Sequence, residues 1–467
     1  MIYKFYHITD VHYYSKKNFA CDYTKLPQPS TQICILKSEE AFKKALSIIE
    51  NDPDTNTAII TGDLTNHGDA NSHNEVRELL GEFTAKGGDP YVVTDTHDYP
   101  YFDVYTIDEN GKKVPDTPMN REDVVPTYYP FGRDKGFDKF DGDDTTYIAE
   151  ILPGLYYIAF GYDLTSADGY NDPKFSDELM DWAKKHIAEI RQKGGTVICG
   201  THWPIVSPSP AYSIVGKGNT FLNGEAFAKD LADLGVRLFF SGHTHIQCIK
   251  KITSDNGNEI YSVQTSSLPG FPPKMRKITI DTDKKIFDIK TIDMELDELG
   301  GLSFAEYTRK GFLGIIETIP YNMEHDVKAF AETEGGVSLP KELILKHPKI
   351  VMFLGRKLNG LTYGKVAKFS RKYHNMTEKD YTDVKDKKFV ALLFDLVANL
   401  YRGNASYSPD SVEYKITLGA MKKIEKLTSI LPIDIKKILC GYSLSEFVEP
   451  LLCNEGPDDD NLSVNYN

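Results

Sequence analysis

The sequence predicts an α/β layered domain followed by an all-α region. Up to about residue 295, strand-like apolar runs alternate with amphipathic helix-like segments, as is typical of layered α/β folds. From about residue 300 the apolar residues recur at helical spacing, and strand-like runs are almost absent. We therefore expect an α/β domain at 1–297, a helical C-terminal domain at 298–455 and an acidic disordered tail at 456–467.

The α/β region begins with a strand, a helix and a second strand. Residues 2–9 form an apolar strand-like run, and residues 38–51 place apolar side chains at helical spacing behind Ser38, a favourable helix cap. Residues 57–65 form a short apolar run that stops at Gly62, as is typical of a strand buried on both faces.

The remaining elements of this region follow from the same signals. Helix-like segments lie at 74–88, 176–195 and 224–235. Strand-like segments lie at 91–96, 154–163, 196–202, 236–245, 258–268, 275–281 and 284–294. The last three of these are expected to pair in antiparallel fashion.

Composition and charge exclude several classes of protein. The 467 residues are enough for two or three domains, and the formal net charge of −14 argues against a partner that is a nucleic acid polymer. The six cysteines show no CxxC spacing, which indicates neither a disulfide framework nor a cysteine zinc site. We see no signal peptide and no apolar stretch long enough to span a membrane, so we expect a cytoplasmic protein without a membrane partner.

Five apolar runs end in residues that can bind metal ions. These residues are Asp10 and His12, then Asp63, then His97 and Asp98, then His202, and finally His243 and His245. Ligands bind at the carboxyl ends of strands in an open α/β sheet, so five such ends predict one convergent site. A lone DxH or HxH pair carries little weight, and other histidines such as His67 and His73 are expected to be structural or exposed.

The types of ligand indicate which metals and which chemistry to expect. Carboxylates and imidazoles without cysteine suit Mn, Fe or Zn. One Asp between two groups of histidines can bridge two divalent metal ions, which at roughly 3.5–4 Å apart clamp the attacking and leaving oxygens of a phosphoryl displacement. They also lower the pKa of a bridging water, which then serves as the nucleophile.

In these residues the chain resembles the calcineurin-like metallophosphoesterases. That family shows the motifs DxH, GD, GNH followed by Asp or Glu, a later His, and GHxH. This chain has DVH at 10–12, GD at 62–63, THD at 96–98, GTH ending at His202 and GHTH at 242–245, in the same order. The resemblance covers about residues 1–295, and the TGDLT form looks most like the class III cyclic-nucleotide phosphodiesterase branch.

The resemblance implies a layered β-sandwich flanked by helices and a role for each motif residue. It implies a first metal held by Asp10, His12 and His245, a second held by His202 and His243, and Asp63 as the bridge between them. His97 would be the catalytic histidine, which binds no metal but stabilises the transition state or protonates the leaving oxygen, with Asp98 orienting it. Such a role agrees with the chemistry of a histidine beside a carboxylate.

The chain departs from the family pattern at two adjacent positions. Thr96 stands where the family usually has a metal-binding Asn, and Asp95 stands where it has Gly. The Thr96 hydroxyl or a water could complete a weaker second metal site. Asp95 could instead supply a substitute carboxylate. In a third interpretation the second site is too weak for catalysis.

The function expected from these observations is metal-dependent hydrolysis of a small phosphorylated substrate. Phosphodiesters, cyclic nucleotides among them, or phosphomonoesters would be cleaved by a hydroxide activated by two metals. The alternatives are a catalytically weakened scaffold that acts in protein interaction, and a protein phosphatase. The insertion at 99–145 follows His97 directly and is expected to form one wall of the site, where its aromatic residues either pack the loop or stack a nucleobase.

Overall fold

In a computed structural model, the chain divides into two compact units. The first consists of Met1–Val206, Gly218–Gly311 and Pro457–Asn467, and the second of Ser207–Lys217 and Phe312–Gly456. The structure describes residues 1–26, 30–161, 173–210, 212, 219–332, 341–405, 407–429, 436, 439, 441–453 and 456–466. The division falls at Gly311 rather than at residue 297.

The first unit contains the strands, which form two large sheets and one small hairpin. The strands are β1 Ile2–Ile8, β2 Thr57–Thr61, β3 Asp89–Val93, β4 Tyr105–Ile107, β5 Lys113–Pro115, β6 Asp138–Lys139, β7 Tyr147–Leu152, β8 Leu155–Phe160, β9 Thr196–Thr201, β10 Leu238–Ser241, β11 Cys248–Thr253, β12 Glu259–Gln264, β13 Lys274–Asp281, β14 Ile286–Asp293 and β15 Asn461–Asn465. One sheet has the order β15-β14-β13-β1-β2-β3, and the other has β11-β12-β10-β9-β8-β7-β6. Strands β1, β2 and β3 are parallel, as are β8, β9, β10 and β12.

Helices cover the outer faces of the two large sheets. Those of the α/β region are α1 Ser38–Glu50, α2 Ala70–Ala85, α3 Arg121–Tyr128, α4 Asp177–Gln192 and α5 Gly224–Asp233. Successive side chains of a strand point to opposite faces, so β1 sends Phe5 into the layer between the sheets and Tyr6 toward α1 and α2. Phe5 meets Phe240 of the other sheet edge-to-face, with ring centroids 5.7 Å apart. The predicted β-sandwich flanked by helices is confirmed.

The C-terminal region is helical, as predicted. Its helices are α6 Phe304–His325, α7 Val327–Glu332, α8 Lys341–Lys346, α9 Pro348–Asn359, α10 Tyr363–Ser370, α11 Phe389–Arg402, α12 Val412–Thr428 and α13 Leu444–Leu452. Buried side chains of α10 to α13, such as Leu392 and Ile416, form a core of their own. Among the described helices of the chain, none combines the length and the apolar composition needed to cross a bilayer.

The acidic C-terminal segment is ordered, so the prediction of a disordered tail is wrong for the described part of it. Residues Asn461–Asn465 form β15, which pairs antiparallel with β14 at the edge of the first sheet. Leu462 and Val464 alternate with polar residues and pack against the core between the sheets. The preceding carboxylate of Asp460 lies 2.7 Å from the ammonium of Lys274, so one of the negative charges that suggested disorder is paired.

Candidate metal centre

The predicted metal ligands and the predicted catalytic histidine lie just beyond the carboxyl ends of five strands of the two sheets. The residues are Asp10 and His12 after β1, Asp63 after β2, His97 after β3, His202 after β9, and His243 and His245 after β10. Parallel neighbours end at the same edge of a sheet, which brings these side chains together. All are buried except His97 and His243, which are half-buried.

Three overlapping clusters of possible ligands form at this edge. They are Asp10 with His12 and His245, Asp10 with Asp63 and His202, and His12 with Asp63 and His97, and in each cluster the candidate ligand atoms lie within 4.8 Å of one another. His245 Nε2 is 3.1 Å from an Asp10 oxygen, and His202 Nε2 is 3.0 Å from an Asp63 oxygen. Asp10 and Asp63 therefore each belong to two clusters.

His243 is the one predicted ligand whose ring these clusters do not include. Its imidazole stacks on the indole of Trp203, with centroids 3.9 Å apart and planes at 17°. Its backbone N–H donates to the carboxylate of Asp10 over 3.0 Å, and its ring centroid lies 5.3 Å from that of His202. Trp203 is fully buried beneath this ring, so it supports the site from within the core rather than facing a substrate.

The backbone at these residues is strained. Of the seven described non-glycine residues with positive φ, five are Asp10, His12, Asp63, His243 and His245. Such a conformation costs on the order of 1–3 kcal/mol per residue and is concentrated at functional sites. The strain is retained at the positions where the strand ends must turn side chains toward one point.

The glycine of the GD motif is explained by close packing. Gly62 has a φ of 87°, and a Cβ at this position would lie 2.6 Å from the ring of His202. Any side chain here would push the imidazole away from Asp63.

Hydrogen bonds indicate how the imidazoles are oriented. His202 Nδ1 lies 2.6 Å from the carbonyl oxygen of Thr61, so Nδ1 carries a proton and Nε2 is the nitrogen that faces the site. This Nε2 is buried and lies 3.0 Å from an Asp63 oxygen. His12 Nε2 lies 2.9 Å from His245 Nε2. Nitrogens and carboxylates that converge in this way fit a site for cations.

The charges of the site also require a positive partner. Burial raises the pKa of Asp63, but His202 and His97 outweigh it and hold that pKa well below its usual range. Burial likewise raises the pKa of Asp10, and His245 and His202 reverse the shift. Buried carboxylates that remain ionised need compensation, which divalent cations provide.

Asp95 and Thr96 occupy the positions where the sequence departs from the family pattern. Thr96 Oγ1 lies 3.5 Å from Asp63, at the limit of a hydrogen bond. One oxygen of Asp95 accepts from the Thr96 N–H at 2.7 Å and from Trp203 Nε1 at 2.9 Å, while the other is buried and has no hydrogen-bond partner. Burial, supported by the charge of Asp63 and opposed by His202, raises the pKa of Asp95 to about 6.

His97 is oriented by Asn66 and not by Asp98, contrary to expectation. The Nδ1–H of His97 donates to the carbonyl oxygen of Asn66 over 2.5 Å. The Asp98 carboxylate instead accepts from the backbone N–H groups of Thr65 and Asp95 at 2.9 and 3.0 Å. A sequence motif shows which residues are adjacent along the chain. It does not show which backbone carbonyl of another loop accepts a hydrogen bond, because every residue has such a carbonyl.

Comparison with known proteins agrees with this geometry. The fold and the cluster of Asp and His residues are those of a phosphoesterase with a candidate metal site. The family described as calcineurin-like phosphoesterase matches residues 3–247, more than half of the chain, and the protein belongs to that family. No curated protein matches the chain significantly.

Several solved structures match the chain at low sequence identity and with TM-scores below 0.5. A dimetal phosphatase from Danio rerio is 15% identical with a TM-score of 0.44, and the match covers 65% of this chain and 98% of that one. The NAD nucleotidase of Haemophilus influenzae is 11% identical with a TM-score of 0.35, covering 78% of this chain and 62% of that one. The phosphopantetheinyl hydrolase of Mycobacterium tuberculosis is 11% identical with a TM-score of 0.26, covering 56% and 89%.

Proposed function

We propose that this protein is a metal-dependent hydrolase of small phosphoesters, acting on phosphodiesters, cyclic nucleotides among them, or on phosphomonoesters. The observation that carries the proposal is the sharing of Asp10 and Asp63 among overlapping clusters of imidazoles. An arrangement in which two carboxylates each serve two groups of ligands suits a pair of cations better than a single one.

Asp10, His12 and His245 would hold one cation, His202 and His243 would hold the other, and Asp63 would contact both. Mn, Fe or Zn bound there would neutralise phosphate charge and lower the pKa of a water molecule. Two observations support His243 as a ligand, namely its GHTH motif and the nearness of its ring to that of His202. Its own ring stacks on Trp203.

His97 would act on the leaving group. Its Nδ1–H is held by the Asn66 carbonyl, so Nε2 is the nitrogen left to exchange a proton with substrate. Its backbone N–H donates to Asp63 over 3.0 Å, which fixes the ring beside the carboxylate shared by the clusters. The half-exposed position of the ring gives a substrate access to it.

The buried second oxygen of Asp95 supports a carboxylate in place of the missing Asn ligand. It is unpartnered and belongs to a carboxylate influenced by both His202 and Asp63. Thr96, in contrast, reaches Asp63 only at 3.5 Å. Asp95 belongs to none of the three clusters, so Asp95 and the Thr96 hydroxyl both stand as candidates to replace the missing ligand.

The test is hydrolysis of bis-p-nitrophenyl phosphate and of p-nitrophenyl phosphate by protein stripped with a chelator and then titrated with Mn²⁺, Fe²⁺ or Zn²⁺. We expect turnover that appears with metal and saturates at about two ions per chain, measured by elemental analysis. Protein that binds the ions but turns over neither ester would contradict the proposal and favour the scaffold.

We also propose a reducing, cytoplasmic location. The cysteines described by the structure, Cys21, Cys34, Cys199, Cys248 and Cys453, form no disulfide, which is the usual state in that compartment. Subcellular fractionation of the native protein, with a secreted disulfide-bonded protein as the reference, would test this.

A further inference from the structure

A cavity of about 220 Å³ lies at the end of the β-sandwich opposite the candidate metal centre. Thr196 and Leu238, the first residues of β9 and β10, contribute to its lining, and both strands run from there toward His202 and His243. The six residues of β9 span roughly 20 Å. The cavity is therefore separate from the metal centre.

The charged residues that line this cavity are cations. The polar groups of interest are Arg191 at the end of α4, Arg237 just before β10, Lys285 in the turn between β13 and β14, and Tyr466 just after β15. Of the described residues that line the cavity, none is an Asp or a Glu. The chain as a whole has a formal net charge of −14, so the cavity reverses the overall charge locally.

Backbone contacts hold the guanidinium of Arg191 at this cavity. Its Nη1 donates to the carbonyl oxygen of Gly195 over 3.1 Å. A Cβ at Gly235 would lie 3.0 Å from Arg191 Nε and 3.1 Å from Nη2, so the lack of a side chain lets the guanidinium lie against that turn. Within the described part of the chain, Arg191 forms no ion pair with a carboxylate. Its charge is therefore available to a ligand.

Arg237 is also held by backbone carbonyls, and it is influenced by the charge of Arg191. Its Nη1 donates to the carbonyl oxygens of Ala232 and Glu259 at 3.2 and 3.0 Å. Burial lowers the pKa of Arg237, and the charge of Arg191 lowers it further, while Tyr466 and Glu259 oppose the shift. Two guanidiniums held where they repel each other would be stabilised by an anion between them.

Lys285 and Tyr466 are joined by the backbone at the edge of the first sheet. The backbone N–H of Tyr466 donates to the carbonyl oxygen of Lys285 over 2.8 Å, and the Tyr466 ring stacks on Phe287 with centroids 6.1 Å apart. Burial raises the pKa of the Tyr466 phenol, and the charges of Arg191 and Arg237 oppose this shift. The phenol is therefore protonated at neutral pH and adds an O–H donor to the three cations.

We propose that this cavity is a binding site for a small phosphate anion, of which inorganic phosphate is the simplest. The donors come from four separate segments of the chain, which suits the tetrahedral oxygens of a phosphate better than the two coplanar oxygens of a carboxylate. The volume is smaller than that of sites for drug-sized ligands and fits a small anion. The proposal does not depend on the hydrolase activity proposed above.

Calorimetry with inorganic phosphate tests this site. The full-length protein is stripped with a chelator and dialysed, so that no metal ion binds phosphate at the metal centre, and the ionic strength is kept constant. We expect a single saturable site. Arg191→Gln and Lys285→Gln should each lower the affinity at least about tenfold, because each removes a charge-assisted hydrogen bond.

Lys193→Gln and Lys284→Gln are the matched controls. Lys193 is exposed and follows Arg191 by two residues, and Lys284 is 73% exposed and directly precedes Lys285, but neither lines the cavity. Each control removes the same charge from the same segment, so both should bind phosphate as the wild-type protein does. Absence of saturable binding would overturn the proposal, as would an equal loss of affinity in the controls.

Succinate, which carries carboxylates in place of a phosphate, tests the chemical class of the anion. It should bind more weakly than phosphate under the same conditions. Succinate that binds as tightly as phosphate and loses affinity in Arg191→Gln would contradict the assignment to phosphate.

Discussion

The Nδ1–H of His202 donates to the carbonyl oxygen of Thr61 over 2.6 Å. This contact links the end of β9 in one sheet to the end of β2 in the other, and it turns Nε2 of His202 toward Asp63. The hydroxyl of the same Thr61 pairs with His7 Nε2 at 2.9 Å, so the β2 end is held from both sides. Both sheets therefore contribute contacts that position the residues of the candidate metal centre.

Replacement of Asp63 by Asn should remove most of the metal and nearly all activity. The amide keeps the shape of the side chain but not the charge shared by two clusters. Loss of a group that only supports a metal ligand typically lowers metal affinity about 10–100-fold. Loss of Asp63, a predicted ligand itself, should therefore lower metal affinity by more than about 100-fold. Elemental analysis and ester hydrolysis check this, with exposed Asp54→Asn as the control.

Replacement of His97 by Ala should reduce kcat while the bound metal is retained. A positioned acid or base contributes about 10²–10⁴-fold, so a loss in that range is expected. His325→Ala is a suitable control because that side chain is 52% exposed. If the variant loses its metal, His97 is a ligand, as its place in a cluster with His12 and Asp63 would allow.

Substitutions at Asp95 and Thr96 should distinguish the interpretations of the second metal site. If Asp95 supplies a carboxylate, Asp95→Asn should lower the affinity for the second metal ion by about tenfold or more. The substitution preserves the oxygen that accepts a hydrogen bond from Trp203 but removes the charge. The double variant Asp95→Gly with Thr96→Asn should restore the affinity. Metal titration followed by calorimetry measures both, and an unchanged affinity in Asp95→Asn would remove Asp95 from the ligand set.

Stability should decrease as pH falls from about 6.5 toward 5. His73 bonds to Tyr128 and to the Asp98 carbonyl, and burial lowers its pKa to about 4. Between that value and about 6.5 the unfolded chain binds the proton and the folded chain does not, so the free energy of unfolding falls with pH. Urea unfolding in the presence of a chelator measures the free energy of unfolding at pH 7 and at pH 5. The difference between the two pH values should be smaller for His73→Gln than for the wild-type protein. An equal difference would contradict the assignment of this pH dependence to His73.

Deletion of residues 457–467 should destabilise the α/β unit. The buried guanidinium of Arg276 donates to the carbonyl oxygens of Gln264 and Asp459 at 3.0 and 2.8 Å, and the deletion removes Asp459. A hydrogen bond to a charged group contributes about 1.5–3 kcal/mol, so we expect a loss of that order in the free energy of unfolding. Urea unfolding measures the effect, deletion of Asn467 alone is the control, and equal stability of the two truncated proteins would show that β15 contributes little.

The sequence predicts the parts of the site that repeat a local pattern. Each apolar run that ends in Asp or His becomes a strand end at one edge, as with Asp63 after β2. The orientation of the His97 ring was not predictable, because Asn66 contributes a backbone carbonyl that every residue possesses. The ordering of β15 was missed because acidic residues concealed the alternation of Leu462 and Val464, and because its partner strand lies far away in the sequence.

The return of the chain to β14 after the helices has a consequence for proteolysis. The segment Phe312–Gly456 of the second unit is an insertion between β14 and β15, and two covalent connections join this segment to the α/β unit. A single cut near Gly311 would leave both fragments linked through the β14–β15 pairing. Release of the segment Phe312–Gly456 as a separate fragment requires a second cut near Gly456, and the peptide that follows would remain with the sheet.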